Sequence, residues 1–389
     1  MRRWLIVAMS GVVAFLFFSC SRQDEATKGF GPMLVADWDG QGSARTPALA
    51  VLGDELVVVW AQDGGQGPDL FLGRVDRWGG VREGPIRLTD SRDTRHPAAA
   101  AAGDSLVLAW VERPAGMMEV FAAAWRPGSG VPLAGENLSS SPNFPSTGPR
   151  LSSRGDQAVL AWVERSVFFV ARTLLLDASA DPVGEVQDVT DASHALLQVD
   201  IANNGRMLVV AGNNFVSTRW DVSFWTRADQ GREPALSTLP ATGDTRWAPA
   251  VARLGDGFVA AWRNNGGQVP AIELAREEAA GTGTWVVLGA IELGGFPHEP
   301  TVVGGEKTAT VLWCEDDGQG IHLMAVPVDT DGCFGPAVRL FENVGDGAPV
   351  TAVRYGVRVC AAWESLDRGK GTVYLGCARL PECVKEGGS

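Results

Sequence analysis

The side chains of this 389-residue chain that could do chemistry fall at two recurring places. Just before a short apolar phrase that opens with proline lie Arg45, Arg95, His96, Arg246, Trp247, His298 and Glu299. Two residues after the tryptophan that closes the phrase come Gln62, Glu112, Glu164, Asn264 and Glu315, with Arg113, Arg165 and Asp316 one place further on. Together they would make a mixed-charge surface, and Trp247 adds an aromatic able to stack on a sugar or clasp a peptide. Carboxylates that recur in several repeats will include some pair at a glycosidase-like separation by chance, so no catalytic pair is specified. His96 and His298 belong to distant repeats, and neither is assigned as a base. The competing reading is that all these groups cap strand ends and pair with their neighbours, contacts that are worth little at a surface.

Metal chemistry has less support. Asp63 and Asp69, or Glu315, Asp316 and Asp317, suggest calcium, but the spacing is not that of an EF-hand loop, and glycine beside acidic residues is ordinary turn chemistry. The four histidines are scattered and no Cys-x-x-Cys pair occurs, so neither a metal nor a cofactor is expected. Beyond Cys20, the cysteines are Cys314, Cys333, Cys360, Cys377 and Cys383. Cys360 and Cys377 have the same position sum as Trp363 and Tyr374, so one hairpin register would set both pairs opposite each other. A disulfide is expected there, and the odd count leaves one thiol over or paired outside the chain.

The repeat that would position these groups first reads Pro47 to Trp60: proline, small apolar residues, a Gly-Asp turn, then an apolar run ending in tryptophan. It returns at Pro97 to Trp110, Pro149 to Trp162, Pro249 to Trp262, Pro300 to Trp313 and, one residue longer, Pro349 to Trp363. A fourth, eroded copy runs from Val199 to Gly212. The period is 50 to 52 residues. Each copy reads as four strands: in the first, about Ala48 to Leu52, Leu56 to Ala61, Asp69 to Val75 and Pro85 to Thr89. Four antiparallel strands at this period are the pattern of a propeller blade. The seventh copy lacks a fourth strand, while Gly31 to Asp37, ahead of the first copy, resembles one. The expected fold is therefore all-β, a single seven-bladed β-propeller whose N-terminal strand completes the last blade.

The first residues read as a targeting segment. Arg2 and Arg3 precede an apolar stretch, Trp4 to Phe18, that is shorter than the roughly 20 residues of a membrane span. Phe17-Phe18-Ser19-Cys20 resembles a bacterial lipoprotein signal, with Phe17 where leucine is usual. That resemblance implies a signal peptide over 1–19, lipidation of Cys20, a tether over 20–30 and a propeller over 31–389. Ser21 after the cysteine implies passage to the outer membrane. The polar tether, Ser21 to Phe30, reaches at most roughly 35 Å. Net charge is −13, and loss of Arg2 and Arg3 with the leader leaves 31 basic against 46 acidic residues, a net −15. Such a surface argues against nucleic acid and against direct adhesion to anionic lipid.

Neither the Trp-Asp of WD40 repeats, the kelch Gly-Gly doublet nor the Asp box of sialidases recurs. The runs ending in Val-Val-Trp or Leu-Ala-Trp, followed by strands such as Asp69 to Asp76, resemble repeats of exported bacterial propellers. The resemblance covers residues 31 to 380, and what it implies is a fold rather than an activity. The functional expectation is a non-catalytic binding or scaffold propeller of the cell envelope. Its binding rim would comprise Arg45, Arg95, His96, Glu112, Arg246, Trp247, His298, Glu299, Glu315 and Asp316, facing a protein, peptide or glycan. The alternative is a carbohydrate-active or other hydrolytic propeller with residues spread over several blades. The eroded fourth copy poses its own choice: Trp220, Phe224 or Trp225 refills the space of the indole lost at Gly212, or a pocket opens there.

Overall fold

The computed structural model describes residues 29–36, 43–141, 143–165, 169–190, 196–216, 218–228, 234–239, 244–266, 270–345, 350–367 and 370–379. The leader, Cys20 and its tether up to Lys28, Pro349 and Cys383 lie outside them. Seven antiparallel sheets form a ring, a seven-bladed β-propeller without helices among the described residues. In blade one the strands, from the channel outward, are Ser43–Leu52, Glu55–Asp63, Pro68–Asp76 and Val81–Arg87; they are called a to d here. The fourth ends before the expected Thr89. Leu88 is instead tied to Leu70 by its own N–H, and the Thr89 hydroxyl accepts the Leu70 N–H at 2.9 Å.

Strands a and b meet at a two-residue turn because glycine tolerates φ > 0. Gly53 has φ 61° and pairing resumes between Leu52 and Glu55. Glycine alone at the first turn position fits a type II′ hairpin. Strand b is apolar on both faces because each blade lies between two others, so Leu56 to Trp60 are fully buried. The tryptophan that closes each phrase fills the space toward the preceding blade. Where strand c sets an aromatic opposite it the rings stack, as Trp60 does on Phe71 and Trp110 on Phe121, with ring centroids 6.2 and 6.5 Å apart.

Blade four solves the missing indole by reversing a pair. In blade one, Trp60 sits over Gly73, two residues beyond its strand-c partner, with 3.4 Å from the Trp60 ring to a Cβ placed on Gly73. In blade four the strand-b residue is Gly212 and the residue at the Gly73 position is Trp225, whose ring lies 3.2 Å from a Cβ placed on Gly212. Trp225 is 3% exposed and packs with Leu196, Val199 and Val163 in the core between blades three and four. The space is filled, so no pocket opens at Gly212.

The ring closes as its ends require. Phe30–Ala36 pairs with Lys370–Arg379 as the outer strand of the last blade. Cys360 lies opposite Cys377, Trp363 opposite Tyr374, and the two cysteines are joined by a disulfide. Across the seam, Glu364 accepts the Thr46 N–H at 3.0 Å and the Ser43 hydroxyl accepts the Gly371 N–H at 2.9 Å.

Candidate functional site

The seven a strands surround a channel of about 600 Å³, and the d-to-a and b-to-c connections form the rim at one of its mouths. The residue before the proline takes a left-handed conformation in several blades, with φ 48° at Thr46, 50° at His96, 63° at Gly148 and 52° at Ala248. The pairing of strands a and b slips at the same place, so each is a bulge that turns the chain into the channel wall. The preceding blade supports two of these strained residues. Asn213 accepts the Ala248 N–H at 3.0 Å, and Glu364 holds Thr46 in the same manner.

Most of the carboxylates expected to face a ligand have a structural task. The indole Nε1 of the buried tryptophan needs an acceptor, and in blades one, two and six the residue two places on supplies it: Trp60 donates to Gln62 at 2.9 Å, Trp110 to Glu112 at 2.7 Å and Trp313 to Glu315 at 3.1 Å. Glu315 also accepts the Gly294 N–H. In blade five, strand c supplies the acceptor instead: Trp262 donates to Glu273 at 2.6 Å. Glu164 binds Arg172 and the Ser141 hydroxyl. Glu112 and Glu315 are therefore corrected from rim ligands to partners of the core.

Arg246 is corrected as well. It is 1% exposed and donates to Asp221 and Glu273, each at 3.1 Å, with its guanidinium 5.7 Å from the Trp262 ring centroid. Strand c of blade four contributes Asp221 and strand c of blade five contributes Glu273, and together they draw the arginine inward. Asp316 accepts the Gly318 N–H and Asp63 accepts those of Gly65 and Gly67, so both serve their turns.

Of the other expected residues, His96 and Glu299 line the channel, and Arg45 and Arg95 are exposed near the start of strand a. Arg45 is exposed and donates to the Ser43 hydroxyl. Arg95 and Arg113 share Asp93, whose carboxyl the Arg113 guanidinium holds below its usual range. Glu299 lines the channel and accepts from Gln198, a bond that links blades six and four. Partial burial pushes the pKa of His96 down, with Arg150 and then Arg95 adding to the effect. His298 is lowered by burial and then by Arg263, against the opposing pull of Asp316 and Glu299.

Trp247 belongs to a cluster. Trp220 stands edge-on to it, with centroids 5.4 Å apart and planes at 88°, and Phe215 packs in turn against Trp220 at 5.2 Å. Phe215 is 45% exposed, while Trp220 and Trp247 are half-buried. Phe215 and Trp220 face each other across the b-to-c turn of blade four. On blade six, Phe296 is 53% exposed and carries the Arg263 guanidinium 5.5 Å from its ring centroid. The rim thus offers a step of three aromatic rings on blades four and five, with a fourth ring further round.

No family model matches this sequence, and no curated protein matches it. Solved structures do. An oligogalacturonate lyase from Vibrio parahaemolyticus is similar with a TM-score of 0.55 at 10% identity, over 92% of this chain and 98% of its own. A subtype N11 neuraminidase-like protein from an influenza A virus of the flat-faced bat gives 0.52 at 9% identity, over 91% and 96%. Trypanosoma rangeli sialidase gives 0.50 at 10% identity, over 77% of this chain and 56% of its own. The likeness is one of fold. The site rests on this chain's own residues.

Proposed function

We propose that this protein is an exported, lipid-anchored β-propeller of the bacterial cell envelope, without a catalytic role of its own, that binds a protein, peptide or glycan through the rim of blades four and five. The observation that carries the reading is the aromatic step of Phe215, Trp220 and Trp247. Exposed aromatic rings on a rigid frame bind flat apolar or sugar faces with little loss of conformational entropy. The structural employment of Glu112, Glu164, Glu273 and Glu315 favours binding over hydrolysis, since a glycosidase requires two carboxyl groups free to act. The enzymatic alternative draws only on fold likeness to the lyase and the sialidase.

The path of the chain supports the orientation. Phe30 pairs with Cys377, which lies opposite Cys360 near the a-to-b turn of the last blade, and Phe30 packs beside Gly79 in the c-to-d turn of blade one. The tether therefore joins the face opposite the rim. A lipid on Cys20 would hold that face toward the membrane and turn the aromatic step away from it. The outer membrane is the expected location, from Ser21.

The test is mild cross-linking in cells, affinity capture and mass spectrometry of the native protein beside a Phe215→Ala/Trp247→Ala variant. Both side chains are partly solvent-exposed, so the variant should keep its fold, whereas Arg246→Glu would bury an unpaired charge. An envelope partner captured by the native protein and lost by the variant is expected. Equal capture by both would remove the rim assignment. Capture by neither would count against a protein partner, and binding of glycan fragments to the same pair would then decide the reading.

A further inference from the structure

The geometry points to a carboxylate-binding site at the channel mouth of blades two and three, formed by Arg95, His96 and Arg150. His96 and Arg150 line the channel. His96 holds the left-handed position that other blades give to Thr46, Gly148 and Ala248, all smaller residues. That backbone costs a residue with a side chain about 1–2 kcal/mol, and here it sets an imidazole at the mouth. The guanidinium groups of Arg150 and Arg95 are the charges that act on His96, and both lower its pKa. The nearby carboxylates leave this positive field partly uncompensated. Asp93 is shared between Arg95 and Arg113, and Asp200 comes no closer to Arg150 than 3.9 Å while accepting the Val251 N–H. Burial raises the pKa of Asp200 further. Arg95, Arg113 and Arg150 thus face two carboxylates, in a chain whose net charge is −13. The side chains of Arg95 and Arg150 are each 46% exposed, so a ligand can reach them. A guanidinium offers a carboxylate two parallel hydrogen bonds.

Binding at this site is coupled to a proton. A carboxylate beside His96 favours the imidazolium, so its pKa rises when the ligand binds. Affinity is then greatest below the free pKa and is lost as pH rises through the bound one. A coupling of about one pKa unit makes the difference roughly tenfold. The site is separate from the aromatic step, so its failure would leave the proposed rim function standing.

The chain has four histidines, which makes selective labelling practical. The full-length mature protein, labelled at histidine Cε1, would be titrated with pH by NMR in acetate, D-glucuronate, and the uncharged counterparts acetamide and D-glucose. We expect both carboxylates to move the His96 signal and raise its midpoint by about one unit, with no response to the uncharged compounds. A response to glucuronate alone would mark the ligand as an acidic sugar and still support the site. Arg150→Gln should abolish the ligand response, raise the midpoint of free His96, and leave the His298 and His322 signals in place. An equal shift in sodium chloride of matched ionic strength, an unmoved His96 signal in both carboxylates, or an unchanged response in Arg150→Gln would overturn the inference.

Discussion

Exchanging Gly212 and Trp225 tests the reversed pair of blade four in a single thermodynamic cycle. Trp225 is 3% exposed. A tryptophan buries roughly 150–250 Å², which at about 25 cal/mol/Å² is worth about 4–6 kcal/mol. Trp225→Ala should therefore cost about 4 kcal/mol, within the usual range for removing a core tryptophan. Gly212→Trp should also destabilise, because even a Cβ at Gly212 would lie 3.0 Å from Leu196 and 3.2 Å from the Trp225 ring. Overpacking of this kind costs about 1–3 kcal/mol or more. The double variant, Gly212→Trp/Trp225→Ala, recreates the arrangement of blades two and five, where Trp110 and Trp262 stand with Ala123 and Ala275 at the Trp225 position. It should recover about 2–3 kcal/mol relative to the sum of the single changes. Urea unfolding of the four proteins, followed by circular dichroism with the slopes compared, measures this directly. Additive single effects, or a cost below about 1 kcal/mol for Trp225→Ala, would show that Trp225 does not replace the missing indole.

Three further outcomes follow from single sites. Burial pushes the Cys314 thiol up to about 12 from 9.0, so the unfolded chain ionises first. Stability should then fall by about 1.4 kcal/mol per pH unit as pH rises from the unfolded value toward the folded one, a slope that Cys314→Ala removes in unfolding measured from pH 8 upward. Ala248→Gly relieves a left-handed strain of about 1–2 kcal/mol against a chain-entropy loss of about 0.4–1 kcal/mol, so it should be neutral to mildly stabilising, while Gly148→Ala should destabilise by about 1 kcal/mol; thermal melting of both variants reads the difference. Glu112→Gln keeps an acceptor for the Trp110 indole, as Gln62 does for Trp60, and should cost little, whereas Glu112→Leu leaves that N–H buried and unpaired at about 1–3 kcal/mol, again read by unfolding.

The repeat made the fold legible because one phrase carries its own geometry: a glycine for the hairpin, an apolar run for a strand enclosed on both faces and a tryptophan to fill the space between blades. The shared position sum of Cys360–Cys377 and Trp363–Tyr374 holds because two positions in one unbroken antiparallel ladder must agree. The site was less legible. The acceptor two places after the tryptophan recurs from blade to blade, and that recurrence is the signal of a structural duty to the indole, although it can equally be taken for a ring of ligands. Arg246 reads as a rim cation until the c strands of blades four and five bring Asp221 and Glu273 beside it, and no local spacing shows that pairing. Trp247 was visible as an aromatic, but its partners Phe215 and Trp220 come together only through the b-to-c register of blade four. The left-handed bulge was hinted at by Gly148 alone, since Thr46, His96 and Ala248 occupy the same conformation without announcing it.

The central claim is that the aromatic rim, and not the opposite face, meets a partner. A photoreactive phenylalanine analogue placed at position 215 on the rim, or at the 57%-exposed Val357 in the a-to-b turn of the last blade, would test it in living cells. We expect a discrete cross-linked species from position 215 and none from position 357. Cross-linking from position 357 alone would contradict a binding rim on blades four and five, and cross-linking from neither position would contradict a protein partner at that rim.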